Sequence, residues 1–166
     1  MPIQLHPHGI LRDNVAALLL RADGCVLWGE CADKPAWWSF PQGGVSRNET
    51  RREALMRELR EETGTARSWY HILASRGGYR YEYPAGKLKK GIYRGQIQTY
   101  FLCQLRPKAP APHASQRKKR QPEFLQLAWV KPSEIDLRFV PPFKRHVTRQ
   151  VIADFFGIDL PMPPEA

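Results

Sequence analysis

The stretch from Gly43 to Thr65 reads GGVSRNETRREALMRELREETGT, and it constrains the fold of this 166-residue chain more than any other segment. Thr50 followed three residues later by Glu53 is the pattern of a capping box, which predicts that a helix begins there. Gly64 predicts the helix end, because glycine adopts the left-handed conformation without strain. Two leucines four residues apart form a helical stripe that can bury against a sheet.

Three acidic side chains of the predicted helix, Glu58, Glu61 and Glu62, are spaced so that they share one face. Like charges at this spacing destabilise a helix by roughly 0.2–0.5 kcal/mol per pair, so a bound cation would stabilise the cluster. Mg²⁺ prefers carboxylate oxygens as ligands. The alternative is a solvated face, on which the arginines of the same helix balance the acids.

The complete pattern around this helix resembles the Nudix box of pyrophosphohydrolases. Gly43 is followed by five residues and Glu49, and then by seven residues and the run RELREETG at positions 57–64. Every specified position matches, and only the last, usually aliphatic position differs, being Thr65. The resemblance implies an α/β fold of the Nudix type, which is an α/β/α sandwich with a central mixed β-sheet. It also implies hydrolysis of a phosphoanhydride bond.

The resemblance assigns metal binding and proton transfer to particular residues. The cofactor would be Mg²⁺ or Mn²⁺. Its ligands would be the three helix carboxylates, the backbone carbonyl of Gln42 and one acid from a distant loop, namely Glu58, Glu61, Glu62, Gln42 and Glu123. A carboxylate among Glu61, Glu62 and Glu123 would take the proton from the attacking water. The sequence leaves open which of them does so.

The remaining box residues have structural roles in the resemblance. Arg57 and Glu49 would pair and brace the loop before the helix. Gly43 and the glycine after it fit a sharp turn that brings the backbone close to phosphate. Gly64 would end the helix.

Shorter stretches outside the box narrow the resemblance to bacterial RNA pyrophosphohydrolases and the related dinucleoside polyphosphate hydrolases. They are WSFPQGG from position 38, GQIQ from 95, PEF from 122, WV from 129 and PFKR from 142. The branch implies that Arg12 and Lys144 contact phosphate, that Phe143 stacks on a base and that Glu123 binds metal. The residues themselves leave two alternatives, an ordinary loop acid for Glu123 and a core position for Phe143.

The chain departs from this branch at two places where relatives commonly carry cations. Residues 29–31 read Gly-Glu-Cys where arginines are common, and Ile97 and Thr99 stand where many relatives have lysine. Both departures remove candidate phosphate contacts. Two basic segments are candidates to replace them, residues 86–94 and the run Arg117–Arg120. The alternative for that run is a solvated loop.

The hydrophobic pattern predicts a single domain with the order strand-strand-helix-strand-strand-strand-helix. We expect an irregular lead-in at 1–11, a domain at 12–157 that contains a flexible basic loop at 106–121, and a loose tail at 158–166. The strands are expected at 15–20, 25–28, 69–74, 79–84, 98–105 and 124–130, a short one leads into the Gly-Gly pair, and a closing helix is expected at 142–156.

The net charge of +10 indicates a polyanionic partner. Together with the resemblance, it favours a metal-dependent pyrophosphohydrolase that acts on nucleoside-linked polyphosphates. The expected reaction removes pyrophosphate from the 5′-triphosphate end of RNA. The alternatives are a diadenosine polyphosphate hydrolase and an RNA-binding Nudix module without activity.

The cysteines and the apolar runs indicate the expected subcellular location. Cys25, Cys31 and Cys103 lack CxxC spacing, which suits reduced thiols. No apolar run is long enough to span a membrane, and no signal peptide is evident. We therefore expect a cytoplasmic protein that has no membrane association and no obligate protein partner.

Overall fold

One mixed sheet with an α-helix on each face makes up the computed structural model, which describes residues 9–84, 87–114 and 122–165. The strands in this part of the chain are β1 (Ile10–Leu20), β2 (Val26–Cys31), β3 (Trp38–Ser39), β4 (Gln42–Gly44), β5 (Tyr70–Glu82), β6 (Tyr93–Leu105) and β7 (Phe124–Val130). The helices are α1 (Arg51–Thr63) and α2 (Arg145–Phe156), and short 3₁₀ segments lie at 67–69, 132–134, 137–139 and 142–144. The α/β/α sandwich predicted from the sequence is confirmed.

Strand β1 is the centre of the sheet, because three other strands pair with it. It runs parallel to β6 along its length and antiparallel to β4, where Ala16 lies opposite Gln42 and Asn14 lies opposite Gly44. It contacts β2 only at its end, through Leu20. Strands β3 and β7 pair with β2, and β5 pairs with β6 at the edge of the strand order. The pairing of β4 with β1 places the box glycines next to the middle of the sheet.

Alternating side chains of β1 supply two separate cores. Val15, Ala17 and Leu19 face α1, whereas Ala16 and Leu18 face α2. This alternation is what a strand covered on both faces requires. The leucine stripe of α1, Leu55 and Leu59, is buried at 1% and 0% exposure, as predicted.

Both ends of α1 are those predicted from the sequence. The Thr50 hydroxyl accepts a hydrogen bond from the Glu53 backbone N–H at 3.1 Å, and the Thr50 N–H donates to the Glu53 carboxylate at 3.4 Å. Gly64 has φ of 69° and its N–H donates to the Arg60 carbonyl. Local sequence signals therefore determine where the helix that carries the acidic face begins and ends.

Several predicted boundaries differ from the structure. Strand β2 spans 26–31 rather than 25–28, and α2 begins at Arg145, after the 3₁₀ segment at 142–144, rather than at 142. The strands expected at 69–74 and 79–84 are one continuous strand, β5, whose register with β6 shifts between Arg76 and Tyr79. Gly78 lies in this bulge with φ of 89°, so the alternation of side chains breaks without ending the strand. Strand β6 begins five residues before the expected position 98, and β1 begins at Ile10, inside the expected lead-in.

The described parts of the basic loop and of the tail are anchored, contrary to expectation. In the loop the His113 N–H donates to the Thr63 carbonyl at 3.0 Å, and the Arg106 N–H donates to the Trp69 carbonyl at 2.8 Å. Residues 115–121, including the run Arg117–Arg120, lie outside the described residues. In the tail Leu160 is 1% exposed because it packs into the α2 core, and Arg149 donates to its carbonyl at 2.9 Å. No helix in the described ranges is long and apolar enough to cross a membrane.

Candidate active site

Arg57 connects α1 to the loop that precedes it. Its guanidinium donates to both carboxylate oxygens of Glu49, at 2.7 and 2.8 Å, and to the Gly44 carbonyl at 3.0 Å. The structure thus brings Arg57 and Glu49 together as the resemblance implied. The hydrogen bonds from Arg57 lower the pKa of Glu49 to about 2, and those to Glu49 raise the pKa of Arg57 above its ordinary value. A bidentate pair of this kind holds the loop in one geometry.

The acidic face of α1 is directed towards β4. Glu58 and Glu62 are buried, and Glu61 is partly exposed. Arg57 Nη1 donates to Glu58 Oε1 at 2.6 Å and contacts Glu61 Oε2 at 3.4 Å, while Glu62 Oε2 accepts from the Gln42 N–H at 3.1 Å. A solvated face is therefore excluded for Glu58 and Glu62.

The two box glycines allow side chains to lie directly on the backbone. A Cβ on Gly43 would overlap the Glu58 carboxyl group, and a Cβ on Gly44 would overlap the Arg12 guanidinium. Both glycines lie in strand β4, so the expected sharp turn is wrong. These glycines are needed because side chains lie directly against their Cα atoms, and not because their backbone dihedrals are unusual. Arg12, predicted to contact phosphate, consequently lies beside the catalytic box, with its guanidinium 5.5 Å from the centre of the Tyr93 ring.

The donors at this face suit a hard divalent ion. They are carboxylates on one helical face, and the Glu58 carboxyl group fills the space that the absent Cβ of Gly43 leaves. Across residues 9–84, 87–114 and 122–165, no three acidic, histidine or cysteine side chains converge as a ready metal site. In this conformation Glu58 and Glu61 are engaged by Arg57. The donor chemistry fits a hard divalent cation.

Glu123 and Lys144, two further residues of the predicted site, lie in different parts of the chain, and the charge of Glu123 acts on Lys144. The Glu123 carbonyl accepts from the Ala32 N–H at 2.9 Å, next to the end of β2, and its side chain is exposed. Burial lowers the pKa of Lys144 to about 8, and the charges of Cys31, Asp33 and Glu123 oppose this shift.

Phe143 packs in an aromatic cluster. Its ring centre is 5.7 Å from that of Tyr81 and 6.1 Å from that of Tyr83, and the residue is half-buried against the α2 core. The Lys144 ammonium lies 5.1 Å from the centre of the Tyr81 ring. These contacts favour the core position for Phe143 over an open stacking platform, while Lys144 lines the cleft together with Trp38 and Gln42.

A buried amide network supports the site, and the sequence reasoning missed it. Gln98, at 1% exposure, donates to Asn14 Oδ1 at 2.9 Å and to Gln42 Oε1 at 2.6 Å, and accepts from the Tyr100 hydroxyl at 3.2 Å. The Gln42 N–H in turn holds Glu62. Two polar residues in the sequence could have indicated this network. Asn14 comes directly before the apolar run of β1, and Gln98 occupies an inward-facing position of β6.

Gln98→Met is expected to weaken both stability and catalysis. The substitution leaves two buried amide oxygens without their donor, which costs roughly 1–3 kcal/mol of unfolding free energy. Because the network positions Gln42 and, through it, Glu62, we also expect kcat to fall about tenfold. Gln104→Met is the matched control, because Gln104 lies on the same strand and donates to Leu20 and Leu105 carbonyls away from the site. Equal kcat values for the two variants would contradict the positioning role.

Comparisons with known proteins identify the family. A family model described as NUDIX domain matches residues 10–153. The chain is 36% identical to an RNA pyrophosphohydrolase of Sodalis glossinidius over 159 residues, which cover 93% of this chain and 89% of the relative. It is 40% identical to an RNA pyrophosphohydrolase of Halorhodospira halophila over 149 residues, or 88% of this chain and 80% of the relative.

Two solved structures share the fold. A C. elegans Ap4A hydrolase binary complex has a TM-score of 0.63 at 18% identity, covering 89% of this chain and 100% of that chain. The E. coli dihydroneopterin triphosphate pyrophosphohydrolase has a TM-score of 0.61 at 18% identity, with coverage of 87% and 96%. At these identities the similarity extends to the fold alone.

Proposed function

This chain belongs to the Nudix family of hydrolases, and from that premise we propose that it removes pyrophosphate from the 5′-triphosphate end of RNA. The observation that carries the phosphoanhydride chemistry is the packing of the α1 acidic face against β4, with the Arg12 guanidinium on the adjacent glycine. The choice of RNA is supported by the relatives named RNA pyrophosphohydrolase, which match over most of the chain.

The proposed cofactor is Mg²⁺ or Mn²⁺. Its proposed ligands combine the carboxylates of the box with a backbone carbonyl and a loop acid, namely Glu58, Glu61, Glu62, the Gln42 carbonyl and Glu123. When bound, such an ion polarises phosphoryl oxygens and makes water more acidic.

The chain's own side chains would bind the substrate and move the proton. Arg12, held against Gly44, would hold a phosphoryl oxygen of the polyphosphate, and the Lys144 ammonium, which lines the cleft, would hold another. Glu62 is buried and accepts a hydrogen bond from the Gln42 N–H. Glu61 and Glu123 are more exposed, which gives an attacking water easier access to them. One of these three carboxylates would accept the proton from that water.

We expect KM to rise as pH increases through about 8. Lys144 binds phosphate as an ammonium, and burial lowers its pKa to about 8, so the positive charge is present below that pH and lost above it. Steady-state KM should be measured from about pH 6.5 to 9.5 for the wild type and for Lys144→Arg. The arginine variant should give a flatter KM profile, because guanidinium stays protonated over this range. A wild-type KM that does not change with pH would contradict the assignment.

Diadenosine polyphosphate hydrolysis is the second candidate. It is favoured by the absence of arginines at residues 29–31, where RNA pyrophosphohydrolases commonly carry them. Glu30 occupies this stretch instead, and its carboxylate accepts hydrogen bonds from Gln126 and from the Ala36 N–H. A compact substrate would depend less on such cations than RNA does.

The two candidates are separated by kcat/KM for triphosphorylated RNA and for diadenosine tetraphosphate, measured at the same Mg²⁺ concentration. The proposal expects RNA to be preferred. Preference for the dinucleotide would establish the second candidate. RNA binding without turnover of either substrate would indicate a Nudix module without activity.

A further inference from the structure

Lys89 lies on the connection between β5 and β6 and is held in place at both its backbone and its side chain. Its N–H donates to the Tyr93 carbonyl at 2.9 Å, and the Tyr93 N–H donates back to it at 3.0 Å. Its ammonium lies 5.0 Å from the centre of the Tyr83 ring. The residue remains exposed to solvent. A fixed ring contact of this kind orients the charge before any ligand binds.

The Tyr83 ring, over which Lys89 lies, packs against the Tyr81 ring, and a second cation lies over Tyr81. Tyr83 and Tyr81 have their ring centres 6.1 Å apart, and Lys144 lies over Tyr81 at 5.1 Å. The charge of Arg12 acts on both tyrosines and lowers their pKa against the larger raising effect of burial. Two cations therefore lie over one pair of rings, and a third, Arg12, lies against Gly44 of the Nudix box.

These cations act on one another electrostatically. The rings beneath Lys89 and Lys144 are neighbours, so the two ammonium groups lie on one small surface. Like charges held close together disfavour each other, and an anion bound near them relieves the repulsion. The region therefore favours a ligand that carries more than one phosphate.

The position of Lys89 indicates which phosphate it would take. Arg12 lies on the glycine of the catalytic box and Lys144 lines the cleft, so both are placed for the 5′ polyphosphate. Lys89 is not among the residues that line the cleft, and it lies over the second ring of the pair on an exposed connection. Given the proposed RNA substrate, on which this inference rests, we propose that Lys89 binds the phosphodiester that joins the first two nucleotides.

The test compares Lys89→Ala with Lys87→Ala. Lys87 is a matched control, because it is exposed in the same segment and its replacement removes the same charge. Binding of a 3′-fluorescent, 5′-triphosphorylated RNA octamer is measured by anisotropy in EDTA, at several salt concentrations, and diadenosine tetraphosphate serves as a competitor. We expect Lys89→Ala to weaken RNA binding about tenfold and to reduce the salt slope by about 0.7. Lys87→Ala should change the RNA affinity less than about twofold.

The affinity for diadenosine tetraphosphate should stay unchanged in both variants, because that ligand has no phosphodiester between nucleotides. An equal loss for RNA and for the dinucleotide would overturn the proposal and place Lys89 on the polyphosphate. Equal losses in the two lysine variants would overturn it in favour of general attraction by positive charge.

Because the assay is free of turnover, it measures the contact of Lys89 with RNA separately from hydrolysis. RNA binding that depends on Lys89, in an enzyme that does not hydrolyse triphosphorylated RNA, would support the inference and reject the function.

Discussion

Glu62→Gln is expected to lower kcat by at least about 100-fold while leaving the fold intact. The carboxylate and the amide have nearly the same shape, and the new carbonyl oxygen can still accept the Gln42 N–H that Glu62 accepts at 3.1 Å. What the substitution removes is one negative charge from the acidic face of α1. Glu61→Gln should have a similar effect on kcat.

Stability in the absence of metal is the informative companion measurement. Glu62 is 1% exposed and shares a helical face with Glu58 and Glu61, so removing its charge relieves repulsion. We expect the melting temperature of the metal-free variant to equal or exceed that of the wild type. Added Mg²⁺ should raise the melting temperature of the wild type more than that of the variant, because a ligand that binds only the folded state stabilises it.

Glu53→Gln is the matched control for charge. It removes a carboxylate from the same helix, at the capping box, where glutamine also serves. Turnover by Glu62→Gln comparable to that of Glu53→Gln, at saturating Mg²⁺, would contradict a catalytic or metal-binding role for the α1 acidic face.

Arg57→Ala is expected to damage both folding and activity. The guanidinium, with 27% of its side chain exposed, holds Glu49, Glu58 and the Gly44 carbonyl at once. Its removal leaves partly buried carboxylates without their counter-charge, which costs about 2–4 kcal/mol of unfolding free energy. Each kcal/mol corresponds to roughly 2–4 °C in melting temperature for a chain of this size. Arg57→Lys should recover little, because a lysine cannot form the bidentate pair with Glu49.

The pH dependence of this loss follows from the pKa of Glu49. Arg57 lowers that pKa from 4.5 to about 2 in the folded state, so the pair stabilises the fold fully above about pH 4.5. As pH falls from 4.5 towards 2, the carboxylate becomes protonated and that stabilisation is lost. Urea unfolding of the wild type and of Arg57→Ala should therefore converge in this range. A stability difference that stays constant down to pH 2.5 would contradict the brace.

The predictable parts of the structure are those that the local sequence controls. The ends of α1 depend on Thr50, Glu53 and Gly64, whose effects act within one helical turn, so they were correct to the residue. Burial of the leucine stripe followed from its periodicity. The pairing of Arg57 with Glu49 came from the family resemblance rather than from these rules.

The parts that were wrong or missed depend on contacts between distant segments. Strand β5 continues through Gly77 and Gly78 because β6 pairs with it on both sides of the bulge, and nothing local in the sequence records that pairing. Leu160 is ordered by α2 packing, which a proline-rich tail does not indicate. The two amide oxygens to which Gln98 donates lie 56 and 84 residues away in sequence, so only the folded sheet brings them together.

The proposed hydrolysis of the RNA 5′ end is tested most directly by following the label on one substrate. RNA carrying a ³²P-labelled γ-phosphate on its 5′ end is incubated with the protein in Mg²⁺, in EDTA, and with Glu62→Gln in Mg²⁺. We expect the wild type in Mg²⁺ to release the label and to leave RNA with a 5′ monophosphate. The wild type in EDTA and Glu62→Gln in Mg²⁺ should release almost no label. Retention of the label by the RNA in all three reactions, under conditions where the RNA is bound, would contradict the central claim.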